Sequence, residues 1–233
     1  MSADDQKRAA ALAAVELVDA DVRVLGLGSG TTARQFVRVF AEARRGDGGA
    51  LACVATSRAT AELAAALGLT LVELDRAGAV DLTVDGADEV GPGLALIKGG
   101  GGSLLGEKLV WEASHRCVVI ADAGKRVAML GRASLPIEVV PFGHTTTLQR
   151  IIAGLADCGV AAGPRLRLDA RGAPFVTDSG NFIYDASCGA ILDPPGVEAA
   201  LKSITGVVDH GLFLGLADRA LIATDEGVET LRA

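Results

Sequence analysis

Between residue 5 and about residue 131, short runs rich in β-branched residues alternate with longer segments of helical period. A chain patterned this way has few options, because repeated βαβ units lay their strands parallel and require helices on the faces of the sheet. The runs predict strands over residues 22–27, 51–55, 70–73, 80–84, 94–97 and 117–121. Between the first two, Ala33, Phe36, Val37 and Phe40 recur at offsets that form one buried helical stripe, and Leu63, Ala64 and Leu67 form a second. Composition agrees with this reading. Half of the residues are apolar, yet the aromatic residues are only six Phe, one Tyr and one Trp, so the core is built from Ala, Val, Leu and Ile.

Around Gly131 the character changes. Pro136, Pro141, Gly143, Gly163, Pro164, Gly172 and Pro174 punctuate short segments that read strand, helix, strand, strand, helix. The pattern predicts a separate small α+β unit with strands over 137–140, 165–168 and 174–184, the last with a turn at 178–181, and helices over 147–158 and 197–204. Two later apolar runs, 212–216 and 220–223, are expected to return to the first sheet. Cys53, Cys117, Cys158 and Cys188 lack paired spacing and are expected to be reduced, mostly buried thiols. With 22 Lys and Arg against 29 Asp and Glu, the net charge of −7 argues against general electrostatic binding of nucleic acid. The start carries Asp4 and Asp5 and then Lys7 and Arg8, where a secretory leader would show basic residues and then an unbroken apolar stretch, and no run is long enough to span a membrane. A cytoplasmic protein without membrane contact is expected.

The residues with chemical potential sit at strand-to-helix junctions. The first strand runs into Gly26-Leu27-Gly28-Ser29-Gly30-Thr31-Thr32, where glycines bring amides close to an anion and a helix N-terminus adds partial positive charge. Gly28, Gly30 and Ala33 also fit a dinucleotide fingerprint, but the second strand ends in Thr56-Ser57-Arg58-Ala59-Thr60 without the acid that would hold a ribose. No Lys follows the glycines as a P-loop requires, and a plain capped turn remains the bland alternative. In Val84-Asp85-Gly86-Ala87-Asp88-Glu89, three carboxylates crowd a strand end, suited to acid chemistry, a self-bonded turn or a magnesium site. Lys98 then precedes Gly99, Gly100, Gly101 and Gly102, whose amides could form a nest for a developing oxyanion. Glu107 follows in the first turns of a helix, where a carboxylate commonly just complements the dipole. Lys125 ends another strand, Lys7 lies on the N-terminal helix, and His115, His144 and His210 are scattered without triad or ligand spacing.

These motifs together resemble A-type ribose-5-phosphate isomerase, an aldose–ketose isomerase of the pentose phosphate pathway. GLGSGTT at 26–32, TSRAT at 56–60, VDGADE at 84–89, IKGGGGSLLGEK at 97–108, ADAGK at 121–125, LPIEVVP at 135–141, TDSGNFI at 177–183, ILDP at 191–194 and GVVDHGLF at 206–213 carry the resemblance along the chain. It implies an α/β fold: a Rossmann-like, mostly parallel sheet flanked by helices over 1–131 and 208–233, and a smaller α+β, ferredoxin-like domain over 132–207. By resemblance Glu107 is the general base between C1 and C2, Asp85 assists ring opening, Asp88 polarises nearby groups and Lys98 stabilises an enediolate. Ser29, Gly30, Thr31, Thr32, Gly99, Gly100, Gly101, Gly102, Lys7 and Lys125 would line the sugar-phosphate site. Neither metal nor cofactor is implied, and a homodimer or homotetramer is expected. Two departures stand out: the Thr56 and Arg58 pair in the second-strand motif, and Gly106 before Glu107, which is expected to loosen that turn. The rivals are a related sugar-phosphate deaminase or lactonase, a magnesium phosphohydrolase using Asp85, Asp88 and Glu89, and a non-catalytic sugar-phosphate sensor.

Overall fold

The structure is a computed structural model and describes residues 1–44 and 51–233. Its described residues divide into two compact units, one comprising Met1–Ala87, Gly106–Arg126 and Gly215–Ala233, the other Asp88–Leu105 and Val127–Leu214. The expected partition kept residues 88–105, 127–131 and 208–214 with the parallel sheet; in the structure they join the second unit.

The chain starts with α1 (Ala3–Val15), opened by a reciprocal capping box between Ser2 and Asp5. Its buried face is Ala10, Ala11 and Ala14, small enough for close approach to the sheet. Then follow β1 (Val24–Leu27), α2 (Gly30–Ala43), β2 (Ala52–Ala55), α3 (Arg58–Ala66), the single turn α4 (Leu74–Ala77) and β3 (Leu82–Asp85). The predicted α2 stripe of Ala33, Phe36, Val37 and Phe40 is fully buried, and Phe36, Val37 and Phe40 pack into one core with Leu25, Leu27, Leu82 and Ile120. The run at 70–73 does not form a strand. Only Leu71 makes a bridge, to Cys53, and the chain then turns into α4, because this edge position offers pairing for one residue on one side.

In the second unit β4 (Glu89–Val90) and β5 (Leu96–Ile97) form a short antiparallel pair. The helix α5 (Leu104–Glu112) and the six-residue strand β6 (Cys117–Asp122) follow. Next come β7 (Leu135–Val139), α6 (His144–Asp157), β8 (Arg165–Leu166), β9 (Phe182–Ala186), α7 (Pro194–Lys202) and β10 (Val207–His210). The chain ends with β11 (Leu212–Phe213), β12 (Arg219–Ala223) and β13 (Val228–Arg232).

The first unit holds a six-stranded sheet in the order β13-β12-β6-β3-β1-β2, parallel except for the β12–β13 hairpin. The expected mostly parallel sheet flanked by helices is therefore present, and its antiparallel edge strand β13 is an addition to the sequence reading. In the second unit, β7, β8, β9 and β10 form an antiparallel sheet in the order β10-β7-β9-β8. Together with α6 and α7 this is the β-α-β-β-α-β arrangement of the ferredoxin-like motif. Here the expected strand at 174–184 is shorter: residues 174–181 form a bridge and a turn, and β9 begins only at Phe182. Of the two late apolar runs, 220–223 joins β6 as expected, whereas Leu212 and Phe213 pair with β5 instead of the large sheet. No helix among the described residues is long and apolar enough to cross a membrane.

Candidate active site

In the first unit, the polar residues collect at the carboxyl ends of β1, β2 and β3, the edge at which open α/β sheets bind ligands. Asp85, the last residue of β3, is fully buried, and its Oδ1 accepts from the backbone N–H of Ser29 at 2.9 Å and of Gly86 at 2.7 Å. A Cβ at position 28 would overlap the Asp85 carboxylate, so glycine is what lets the β1–α2 turn close over it. Ser29 occupies the N-cap position of α2 without capping it. Its hydroxyl lies 2.6 Å from that of Thr56, and the Thr60 hydroxyl donates to the Gly28 carbonyl at 3.0 Å. Ser57, by contrast, is an ordinary cap, accepting from Thr60 N–H. The adjacent hydroxyls at the ends of β1 and β2 therefore split into one helix cap and one cross-turn network that fixes the glycine loop. Thr31 is exposed at the start of α2 and Thr32 is buried.

Glu107 lies in the first turn of α5 and is 5 % exposed, with Lys108 also buried beside it. The expectation that Gly106 loosens this turn is corrected: a Cβ there would collide with the Thr56 backbone carbonyl. Gly106 is where the helix backbone meets the end of β2, so the glycine is what permits this close approach beside Glu107. Lys7, on α1, contacts Asp4 at 3.1 Å. Gln6 accepts from Ala123 N–H, tying the first turns of α1 to the 3-10 turn Ala123–Lys125, which Asp122 caps through Gly124 N–H. Lys7 and Lys125 thus belong to the same edge of the first unit. Arg58 is exposed at the start of α3.

The second unit organises the other candidates around the tetraglycine segment. Lys98 is 2 % exposed, its ammonium 5.4 Å from the centre of the Phe213 ring, and its N–H donates to Gly211. Asp88 accepts from Gly100 N–H at 2.7 Å, and its own N–H donates to Ile97. Glu89 goes elsewhere: it is fully buried and accepts from the backbone N–H of Gly131 and Ala133. Both its oxygens tether a loop of the second unit, which takes Glu89 out of the three-carboxylate set that a magnesium phosphohydrolase would require.

Two groups escaped the sequence reading. Arg167 on the residues after β8 reaches the carbonyls of Gly99 and Gly100, 68 and 67 positions away in the chain. Glu138, buried in β7, accepts from the Thr177 hydroxyl and the Asn181 amide, and burial raises its pKa above the usual carboxylate value. Neither pairing leaves a local signal, because partners so distant in sequence meet only through the fold. His144 faces the Tyr184 hydroxyl at 2.7 Å, and buried His210 accepts from Leu212 N–H, both within the second unit.

A parallel sheet whose strand ends carry a glycine turn locked on a buried carboxylate is the arrangement on which α/β enzymes bind small ligands. The model of the family described as ribose 5-phosphate isomerase A (phosphoriboisomerase A) matches residues 52–227. Among curated relatives, ribose-5-phosphate isomerase A of Caulobacter vibrioides is 59 % identical over 232 residues, covering 100 % of both chains. That of Parvibaculum lavamentivorans is 49 % identical, again over 100 % of both. A solved D-ribose-5-phosphate isomerase in complex with phospho-erythronic acid superposes with a TM-score of 0.92 at 36 % identity over 100 % of both chains. The Plasmodium falciparum enzyme gives 0.92 at 32 % identity over 99 % of each. The chain belongs to the ribose 5-phosphate isomerase A family, and it is an isomerase.

Proposed function

We infer that this chain interconverts ribose 5-phosphate and ribulose 5-phosphate through an enediolate, with Glu107 as the base. In the open-chain aldose, the base takes the proton from C2, and the electrons of that C–H bond form the C1–C2 double bond while negative charge collects on O1. The same proton or a solvent proton is then delivered to C1, and the hydroxyl proton of O2 passes to O1. Carbon 1 is reduced and carbon 2 oxidised, so the reaction consumes nothing. Such chemistry requires one positioned base, an acid for the oxygens and fixed positive charge for the oxyanion.

Glu107 meets the first requirement: it is a buried carboxylate on a helix whose backbone is seated against the end of β2. That is the observation on which the reading rests. Lys98 is the charge proposed to hold the enediolate, since an ammonium that is 2 % exposed acts through a lower dielectric than a solvated one. Asp85 is assigned to opening of the furanose ring and Asp88 to polarising neighbouring groups. Ser29, Gly30, Thr31, Thr32 and the segment Gly99, Gly100, Gly101 and Gly102 are assigned to the sugar phosphate, with Lys7 and Lys125. The phospho-erythronic acid named with the solved relative is a phosphorylated sugar acid, which supports an anionic substrate of this class.

The test follows ribose 5-phosphate by NMR in heavy water, comparing the wild type with Glu107→Gln. Ketose formation with deuterium at C1, and turnover lowered by at least ~10²-fold in the variant, is the expected result. No ketose from the wild type, or near-normal turnover by a folded variant, overturns the assignment.

A further inference from the structure

We propose that Arg167, held by Asp185, is a positioning residue that sets the backbone of the tetraglycine segment, and through it the amide presented to the substrate. This rests on the reading that Gly99–Gly102 lines the sugar-phosphate site. The guanidinium lies in the second unit and is mostly buried, its side chain 15 % exposed. Its Nε and Nη2 donate to the two oxygens of Asp185 in a fork. Its Cζ also lies 5.8 Å from the Phe175 ring centre. The remaining nitrogen, Nη1, donates to the carbonyls of Gly99 at 3.1 Å and Gly100 at 3.2 Å.

The consequence follows from the planarity of the peptide bond. The Gly99 carbonyl and the Gly100 N–H belong to one peptide, and they are pinned from opposite edges, by Arg167 and by Asp88 at 2.7 Å. The Gly100 carbonyl and the Gly101 N–H belong to the next. With the carbonyl drawn to Arg167, the trans peptide turns the Gly101 N–H the opposite way, and among the described residues that exposed amide donates to no protein acceptor. The Gly102 N–H closes a turn on the same Gly99 carbonyl at 2.9 Å; without Arg167 the glycines between would still sample more backbone states, and ordering them only on binding would weaken every contact they make. Phe175 closes the same clamp, since a Cβ on Gly102 would overlap its ring.

Arg167→Ala, Arg167→Lys and Asp185→Asn in the full chain test this, with kcat and KM measured on ribose 5-phosphate beside melting temperature and circular dichroism. For folded Arg167→Ala we expect kcat to fall on the order of 10- to 100-fold, as for other misplacements of a reacting pair. Millimolar guanidinium should restore part of that loss and leave the wild type unstimulated. Arg167→Lys should recover little, since an ammonium lacks the fork that spans a carboxylate and two carbonyls. Wild-type kinetic constants in Arg167→Ala, or a loss in a natively folded variant that guanidinium leaves untouched, overturn the proposal. If Arg167→Ala does not fold, Asp185→Asn decides: reduced kcat supports the clamp and unchanged constants refute it. Lys98→Ala separates the two levels. If it turns over normally, the site reading itself fails; if it is crippled while Arg167→Ala is normal, only the clamp fails.

Discussion

The two units use buried carboxylates of one short motif in different ways. Asp85, in the parallel-sheet unit, accepts two backbone N–H groups from the Gly-rich turn and from its own neighbour, so its local partners belong to the loop at the strand ends. Glu89, four residues later in the second unit, also accepts two backbone N–H groups, but from a loop more than forty residues onward. Both are fully buried and both accept from backbone N–H groups, although Glu89 also lies 3.9 Å from the Arg132 guanidinium. What differs is where the tethered backbone lies, and this shows that a cluster of acids in sequence is no measure of a cluster of acids in chemistry. Glu138 extends the contrast, because its partners Thr177 and Asn181 close a turn in the antiparallel sheet.

The comparison breaks most decisively at Gly106. Gly106→Ala forces a methyl group against the Thr56 carbonyl, so α5 must shift at the turn that carries Glu107. Turnover should fall on the order of 10²-fold with a lowered melting temperature, and steady-state kinetics with calorimetry would check it. An unaltered kcat would mean that the placement of Glu107 does not depend on this contact.

Glu89→Leu comes next. It leaves the buried N–H of Gly131 and the half-buried N–H of Ala133 without their acceptor, at a cost of about 1–3 kcal/mol for the buried group and less for the other. Denaturant unfolding should register the loss; a variant as stable as the wild type would show that the loop finds other partners.

Glu138→Gln should act in the opposite direction, and with pH. Burial raises the folded pKa of Glu138, so the folded state binds its proton more tightly than the unfolded state, and stability is lost as pH rises from the unfolded value through the folded one. Removing the charge should therefore raise the melting temperature by a few degrees at neutral pH and bring no gain below the unfolded pKa. Thermal melts at acid and neutral pH would test this, and a pH-independent difference would contradict it.

The smallest effect concerns thiols. Burial pushes Cys53 up to about 12 and Cys188 up to about 11, whereas Cys158 is only half-buried. Alkylation of the native protein near pH 8 should label Cys158 first, read by mass spectrometry, and early labelling of Cys53 would indicate local opening of the first unit.

Much of this molecule is legible one residue after another. The α2 stripe, the parallel strands and the glycine turn at 26–32 all follow from period and composition, since helix, strand and turn preferences act over a few neighbours, whereas the burial of Lys98 does not. The failures have one physical origin. Leu71 forms a bridge and not a strand because an edge offered it one partner, and Leu212 left the large sheet for β5 because pairing is settled by what lies alongside. Likewise, Gly106 reads locally as a weak helix residue, yet the Thr56 carbonyl makes it a required one.

The sequence by itself determined the class of sheet, the helices that cover it and the residue types able to move a proton beside a carbonyl, because those depend on local geometry and chemistry. Only the tertiary structure decided which acids serve the strand ends and which hold loops, and that Arg167, held by Asp185, reaches the tetraglycine backbone. Those outcomes depend on groups brought together from distant parts of the chain, and sequence spacing carries no record of such meetings.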